Sequence, residues 1–405
     1  MTAAQTPQSM SPSGHDTAEH ILQRVDRPIA QATGLPNQTY TSEEAFIRDR
    51  QQVMAPNWAC IGFADQLPTA NYVLPIDFMG LPLVATRDAE DCIRVFHNVC
   101  SHRGFKLADK PCSNNGAMRC PYHSWTYALN GSLRATPNIG GYGEHQHDEF
   151  NRDAHGLKEV RAKIWLGAIF INLSGDAPPF EEYVKPITTS WGKFLDTASL
   201  DNFIISEKES HLELTVQSNW KLPVENYLES YHLPSVHPEL NRISPLDKHI
   251  YLDAFDNGAG QASLGYTRLD IDGDQLPAVP EWPENAINNA EYPALYPNTF
   301  LGIHADQLFI QYLQPVDHQT TVEHVRIFYF GESALQNKYT EHRQALHKSW
   351  KNVFDEDIFA VEGMQAGRAS PAYGGGAFSP VMDEPTHHFH KWIAKRLAAS
   401  QADSA

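Results

Sequence analysis

Four residues in the first third of the chain are of the two types that bind soft and borderline metal ions. Cys100 and His102 form a C-x-H pair, Cys120 and His123 form a C-x-x-H pair, and 17 residues separate the two pairs. Thiolates suit iron–sulfur clusters and zinc, whereas imidazole suits iron and zinc. Because each pair offers one sulfur and one nitrogen, the two pairs together can give two sulfurs to one metal ion and two nitrogens to another.

This division of ligands is that of a Rieske [2Fe–2S] centre, in which two cysteines hold one iron and two histidines hold the other. The alternative is a Cys₂His₂ zinc site, but zinc fingers usually group ligands of one kind. The alternation of cysteine and histidine therefore favours the cluster. The remaining cysteines fit no ligand position. Cys112 is expected to be structural, and Cys60 and Cys92 are expected to lie in the core.

A second group of possible ligands begins in the middle third of the chain. His232 and His237 have four residues between them, and Pro234 disfavours a continuous helix across the pair. Two neutral imidazoles and one carboxylate form the facial triad of non-haem iron(II) oxygenases, which leaves coordination positions open. Two unrelated loop histidines are the alternative interpretation of this segment.

The missing carboxylate is expected on a long predicted helix over residues 334–366. Asp357 lies on the apolar stripe of that helix, four residues after Val353 and four before Val361. A buried carboxylate is unfavourable unless it is paired or bound to a metal, so Asp357 is the best candidate and Glu362 is the second. Two neighbouring acidic residues are expected to face solvent or to help position the helix: Asp355 and Glu356.

The elements around these residues predict two domains of α+β class. Short β-prone runs separated by turn residues indicate an all-β domain over residues 58–175 that carries the cluster. Residues 176–405 predict a catalytic domain with an antiparallel sheet flanked by helices, to which a helix at 38–57 also belongs. Residues 1–37 are expected to be an N-terminal tail.

Composition excludes several classes of protein. A net charge of −18 repels phosphate backbones and argues against nucleic acid as a partner. No apolar stretch approaches the length of a membrane span, and the first residues lack the basic start and apolar run of a secretory signal. We therefore expect a cytoplasmic protein that does not bind membranes.

Taken together, the motifs resemble the α subunits of Rieske non-haem iron oxygenases, the ring-hydroxylating oxygenase superfamily, over residues 40–398. The resemblance rests on N-x-C-x-H-R-G at 98–104, C-P-Y-H-x-W-x-Y-x-x-x-G at 120–131, and N-W-K-x-x-x-E-N-Y-x-E-x-Y-H-x-x-x-x-H-P at 219–238. It implies a homotrimer that receives electrons from NAD(P)H through a separate flavin and iron–sulfur reductase and uses dioxygen. It also implies that Glu229 bridges the two metal centres of neighbouring subunits.

One branch of this family is similar in finer detail. Glutamate at 229 and the segment D-I-F-A-V-E-G-M-Q at 357–365 resemble the bacterial enzymes that oxidise glycine betaine, choline, carnitine and stachydrine. Ser230 and Leu233 depart from that branch, where many relatives have cysteines. The resemblance implies hydroxylation or demethylation of a small quaternary ammonium substrate. The alternatives are an oxygenase for an aromatic acid or other aromatic compound, and a non-catalytic Rieske electron carrier or zinc-bearing binding protein.

A quaternary ammonium ion cannot donate a hydrogen bond and is usually recognised by aromatic faces. Aromatic residues near the expected pocket are therefore candidate substrate contacts: Tyr227, Tyr231, Phe300, Phe309 and Tyr312. His304 is a candidate contact for a substrate carboxylate.

Overall fold

A computed structural model describes residues 17–402 of the chain. Three helices precede the first strand: α1 (Ala18–Val25), α2 (Gln38–Thr41) and α3 (Glu43–Asp49). The last of these continues as a single wider turn over Arg50–Met54. These helices cover one side of the main hydrophobic core, so they belong to the folded body of the protein.

An antiparallel β domain follows. Its strands are β1 (Ala59–Phe63), β2 (Tyr72–Phe78), β3 (Leu81–Arg87), β4 (Ile93–His97), β5 (Cys112–Ser113), β6 (Ala117–Arg119), β7 (Thr126–Ala128), β8 (Leu133–Ala135), β9 (Glu159–Trp165) and β10 (Ala168–Asn172). One sheet has the order β1-β10-β9-β4-β3-β2-β5, and β6-β7-β8 form a small second sheet. The predicted all-β domain is confirmed. Cys60 is buried as expected, but Cys92 is exposed because it lies at the turn before β4, so its predicted place in the core is wrong.

Strand β3 shows how this domain joins the rest of the molecule. Its successive side chains point to opposite faces, so Leu83 and Ala85 enter the main core while Val84 packs with Phe96 and Met118 beneath the small sheet. Both faces of β3 are therefore buried. The small sheet rests on this layer. The loop with Cys120 and His123 joins its strands β6 and β7, whereas the loop with Cys100 and His102 follows β4 of the larger sheet.

The C-terminal part is built on a larger antiparallel sheet. Its elements are α4 (Phe180–Trp191), β11 (Phe203–Ile205), β12 (His211–Val216), α5 (Lys221–Tyr227), α6 (Leu233–Val236), α7 (Pro238–Ile243), β13 (His249–Phe255), β14 (Gly258–Ser263), β15 (Ala290–Leu295), β16 (Thr299–Ile303), β17 (Gln307–Asp317), β18 (Thr320–Phe330), α8 (Thr340–Gly367) and α9 (Glu384–Ala402). The strand order is β11-β18-β17-β16-β15-β14-β13, and β12 also pairs with β18. The predicted antiparallel sheet flanked by helices is confirmed.

Helix α8 is the element that fixes the second group of ligands. Its apolar stripe places Trp350 and Phe354 against Phe309 and Val325 of the sheet. The same helix packs on α5 and α6. Asp357, one turn beyond Phe354, is thereby directed toward the segment that carries His232 and His237.

The expected tail over residues 1–37 is corrected for its described part. Ile21 and Val25 on α1 are fully buried and share a core with Phe389 and Ile393 of α9. Residues 1–16 lie outside the described part of the chain. Within residues 17–402, no helix has both the length and the apolar content to cross a bilayer.

Candidate metal centres and active-site cavity

The two cysteine loops of the β domain have the same backbone turn. The N–H of Gly104 donates to the carbonyl of Cys100 at 3.0 Å, and the N–H of Ser124 donates to the carbonyl of Cys120 at 3.0 Å. Gly104 has φ of +71° and Ser124 has φ of +61°, so both chains reverse through the left-handed region. Each loop therefore presents a buried sulfur and, two or three residues later, an imidazole at the surface of the domain.

The ligand types separate in space as a two-iron cluster requires. The thiols of Cys100 and Cys120 are buried within hydrogen-bonding reach of each other, and burial together with this contact raises the pKa of Cys120. The rings of His102 and His123 lie 4.6 Å apart, and Nδ1 of His123 is buried with no hydrogen-bond partner among the described residues. Paired sulfurs inside and paired nitrogens outside fit a Rieske centre better than one zinc ion.

Aromatic residues support this site. Trp125 stacks on the His102 ring at 4.7 Å with an interplanar angle of 9°. The hydroxyl of Tyr127 lies 3.2 Å from Sγ of Cys100 and accepts from the backbone N–H of Ser101 at 3.0 Å. Burial, with the hydrogen-bonded Cys100, raises the pKa of Tyr127 to about 12. Tyr127 therefore keeps its proton and can donate to a thiolate.

The second group of ligands also comes together. Nε2 of His237 lies 2.8 Å from Oδ1 of Asp357, and Nε2 of His232 lies 3.6 Å from the same oxygen. The three candidate ligand atoms all lie within 4.8 Å of one another. His232 immediately precedes α6 and His237 lies between α6 and α7, where its φ of −121° interrupts the helix. The break lets both imidazoles face Asp357, and the donor set fits a mononuclear iron(II).

Two further carboxylates hold the outer nitrogens of these imidazoles. Nδ1–H of His232 donates to Oε1 of Glu229 at 2.7 Å, and Nδ1–H of His237 donates to Oε2 of Glu356 at 2.8 Å. Both Nε2 atoms are thereby left for a metal ion. Burial acts to lower the pKa of His237, but the carboxylates of Asp357 and Glu356 outweigh it and raise that pKa. The contact of Glu356 with a ligand was not foreseen from the sequence.

Two other acidic residues lie away from this triad. Glu225 is buried in a separate network with Tyr40, Arg368 and His390. Glu362, the second candidate for the third ligand, accepts a hydrogen bond from the backbone N–H of Gln217 at 2.9 Å. Asp357 alone among these candidates approaches the two histidines.

A cavity of about 70 Å³ opens beside the triad. One side of it is aromatic: Tyr227, Tyr292, Phe309, Trp350 and Phe354. Neutral polar side chains form another part: Asn226, Ser244, His249 and Gln261. His249 joins Ser244 and Gln261, since its Nε2 lies 2.9 Å from Oγ of Ser244 and its Nδ1–H donates to Oε1 of Gln261 at 3.0 Å.

The structure places some of the aromatic residues predicted from the sequence at the cavity and others away from it. Tyr227 and Phe309 line the cavity, and Phe300 stacks behind Tyr227 with ring centroids 4.2 Å apart. Tyr231 is 58% exposed outside the cavity. Tyr312 packs against Phe63 in another core, because it lies an odd number of residues from Phe309 on β17 and faces the other side of the sheet.

His304 also lies outside the cavity lining. Its ring packs against Tyr292 and Trp350, one layer behind the aromatic wall, and neither ring nitrogen has a partner among the described residues. Burial, and then the charge of Arg268, lower the pKa of His304 to about 3. Trp350 and Phe354 are among the cavity residues that were not predicted from the sequence, and they precede Asp357 by seven and three positions. Helical spacing from Asp357 was the signal for them.

Comparison with known proteins assigns the chain to a family. The family model "Rieske [2Fe-2S] domain" matches residues 57–146, and the model "Ring hydroxylating alpha subunit (catalytic domain)" matches residues 204–399. The chain belongs to the Rieske non-haem iron oxygenase α subunits. As a Rieske oxygenase it is an oxidoreductase that uses a [2Fe–2S] cluster and a mononuclear iron.

The Rieske oxygenase is similar to several monooxygenases. The carnitine monooxygenase oxygenase subunit of Escherichia coli (strain K12) is 26% identical over 377 residues, covering 90% of this chain and 94% of the relative. The chloroplastic choline monooxygenase of Atriplex hortensis is 27% identical over 384 residues, covering 91% and 79%. A solved quaternary ammonium Rieske monooxygenase superposes with a TM-score of 0.74 at 23% identity, covering 93% and 98%. The Rieske oxygenase is thus close to the quaternary ammonium monooxygenases.

Proposed function

We propose that the chain is the oxygenase component that hydroxylates a small quaternary ammonium substrate, with electrons from NAD(P)H supplied through a separate reductase. The observation that carries this proposal is the aromatic cavity beside the triad of His232, His237 and Asp357. For an N-methyl group, the reaction inserts one oxygen atom of O₂ into a C–H bond. The other atom leaves as water with two electrons and two protons. The resulting N-hydroxymethylammonium ion releases formaldehyde and a proton as its C–N bond breaks, which leaves a tertiary amine.

The metal ligands are part of the proposal. Cys100 and Cys120 would hold one iron of the cluster, and His102 and His123 would hold the other. The triad would hold an iron(II) ion, which supplies dioxygen activation at an open coordination position when it is bound. The residues of the chain orient the ligands and the substrate and exclude water from the cavity.

Recognition of a quaternary ammonium group follows from the cavity wall. The trimethylammonium group has no N–H to donate, so aromatic faces are its favoured partners. Trp350, Phe354 and Phe309 are buried and lie against one another at the wall of the cavity. The nearby carboxylates of Asp357, Glu229 and Glu356 add negative charge, which attracts a cation.

The polar part of the cavity indicates which chemical group the substrate carries at the end away from its ammonium group. Among the residues that line the cavity, all of which are in the described part of the chain, there is no lysine or arginine. A substrate carboxylate would therefore lack a cationic partner, whereas a hydroxyl can hydrogen-bond to Gln261 or Ser244. This supports a choline-like substrate with a neutral polar end over a carnitine-like one.

We propose the assembly of the family, a homotrimer with electron transfer between subunits through Glu229. The support is the placement of an exposed side chain beside the candidate cluster. Tyr122, whose ring lies against that of His123, is 56% exposed. The histidine side of the candidate cluster is thus bordered by an aromatic ring that a neighbouring subunit could cover.

The test is a substrate panel with the purified protein and a surrogate reductase. Choline, glycine betaine, carnitine and benzoate are compared by oxygen uptake, formaldehyde release and mass spectrometry of products. The proposal predicts turnover of the quaternary ammonium compounds, with choline or another hydroxyl-ended compound preferred to carnitine. Oxygen uptake coupled to product only with the aromatic acid would instead support an aromatic hydroxylase.

A further inference from the structure

We propose that Glu356 is a positioning residue for His237, setting which of its ring nitrogens faces the metal. This inference rests on the proposed iron site and goes beyond it, because it adds a residue that is not itself a ligand. It concerns the affinity of the site for a metal ion and is independent of the identity of the substrate.

The geometry that carries the inference is a single imidazole held between two consecutive carboxylates. Nδ1 of His237 lies 2.8 Å from Oε2 of Glu356, and Nε2 lies 2.8 Å from Oδ1 of Asp357. Consecutive residues of a helix point about 100° apart, so α8 surrounds the ring from two sides. The ligand carboxylate and the orienting carboxylate therefore come from the same turn of the same helix.

The burial of His237 makes Glu356 difficult to replace as the hydrogen-bond acceptor for Nδ1. The His237 side chain is only 1% exposed, so few water molecules can reach Nδ1. Glu356 is 39% exposed and reaches the ring from the edge of the site. A buried N–H without an acceptor is unfavourable. If that carboxylate is removed, Nδ1 loses its acceptor and the proton can move to Nε2, which prevents Nε2 from binding a metal.

The carboxylate of Glu356 also changes how strongly the His237 ring binds a metal ion. A carboxylate that accepts from the outer N–H fixes the tautomer and raises the basicity of the nitrogen that binds the metal. His232 has the same arrangement with Glu229. Glu229, however, is also the proposed bridge between subunits, so a change there affects two functions. Glu356 permits the orienting effect to be measured separately.

Helix α8 provides a matched control beside Glu356. Asp355 is also acidic and 43% exposed, but its partner is Lys351, four residues earlier on the same helix. Truncation of either residue removes one negative charge near the triad and leaves no cavity in the core. A difference between Glu356→Ala and Asp355→Ala therefore reports the contact with His237 and not the general charge of the helix.

The experiment measures cobalt(II) binding to the purified protein with its cluster retained, after a mild chelator has removed the mononuclear iron. We expect Glu356→Ala to weaken cobalt(II) binding by about 10–100-fold. Asp355→Ala should bind within about twofold of wild type. Glu356→Gln should recover most of the affinity, because its amide oxygen can still accept from Nδ1–H. The visible spectrum of the cluster and the thermal unfolding midpoint should be the same in all variants.

Two outcomes would overturn the inference, and they differ in what else they affect. If Glu356→Ala binds cobalt(II) as tightly as Asp355→Ala does, Glu356 does not position His237, and the proposed iron site is unaffected. If the wild-type protein with an intact cluster binds no cobalt(II), both the proposed iron site and the role of Glu356 are wrong.

Discussion

The carboxylate of Glu229 makes two hydrogen bonds to one residue, His232. Oε1 accepts from Nδ1–H of the ring at 2.7 Å, and Oε2 accepts from the backbone N–H at 3.1 Å. Glu229 is therefore fixed on the side that faces the candidate iron site. Its side chain is still 15% exposed, so it stands between the buried triad and the surface of the molecule.

Glu229→Gln tests whether this residue serves electron transfer. The amide oxygen can still accept from His232, so we expect the variant to retain its metal ions. Loss of the negative charge between the centres should slow transfer of electrons to the mononuclear site. Stopped-flow oxidation of the reduced cluster, in the presence of substrate and O₂, measures this step. Loss of the mononuclear iron in this variant would mean instead that Glu229 is a ligand.

Tyr127→Phe tests the hydrogen bond to the cluster cysteine. The tyrosine hydroxyl lies 3.2 Å from Sγ of Cys100, and a donor to sulfur favours the reduced, more negative state of the cluster. A net hydrogen bond of about 1 kcal/mol corresponds to roughly 40 mV for one electron. We expect the reduction potential to fall by about this amount in a spectroelectrochemical titration. An unchanged or higher potential would show that the hydroxyl does not act on the cluster.

Phe354→Leu tests the aromatic wall. Leucine keeps the site apolar but removes a ring that can face a cation, at a cost of about 1 kcal/mol. The KM for choline should rise about fivefold. The inhibition constant of 3,3-dimethylbutan-1-ol, the uncharged carbon analogue of choline, should change much less. Equal changes for the two compounds would indicate a general loss of packing instead of a lost cation–π contact.

The lowered pKa of buried His304 predicts how the stability of the folded chain depends on pH. Its pKa is lowered from 6.5 to about 3 in the folded chain, so the unfolded chain binds more protons between these values. Stability from this residue is therefore fully present above pH 6.5 and is lost as the pH falls toward 3. Between pH 7 and pH 5 the loss is about 2 kcal/mol.

The variant His304→Leu, which is close to histidine in volume, should lack this component. Urea unfolding at pH 7 and pH 5 should show a smaller loss of unfolding free energy for His304→Leu than for wild type. If both proteins lose the same free energy, the ring is not held neutral in the folded state.

The fold was predictable where local pattern and final pairing agree. Residues 320–330 are rich in β-branched and aromatic side chains, which predict a strand, and β18 occupies this range. Strand β15 was not predictable from local pattern, because its Pro293 and the Asn-rich residues before it are typical of a loop. It forms a strand because Gly260 on β14 lies opposite Pro293, and a Cβ at Gly260 would stand only 2.6 Å from it. That match is visible only once the strands are paired.

The candidate site was also predictable only where local sequence pattern was sufficient. Apolar periodicity was enough to single out Asp357, because a carboxylate on a buried stripe needs a partner. Glu356 is the next residue on the helix, and its partner His237 lies 119 positions away in the sequence. The direction of its side chain depends on how α8 packs on α6, which local pattern does not specify. α1 was missed for a similar reason, since its apolar face has meaning only against α9.

The central claim is that one chain holds two separate iron sites, and metal analysis tests it most directly. Iron and acid-labile sulfide are measured in the wild-type protein and in His232→Ala, with the visible spectrum recorded on the same samples. We predict about three irons and two sulfides per wild-type chain, and about two irons and two sulfides, with an unchanged cluster spectrum and no turnover, in the variant. A wild-type protein that is colourless or contains zinc in place of iron, or a variant that loses the cluster spectrum, would contradict the account.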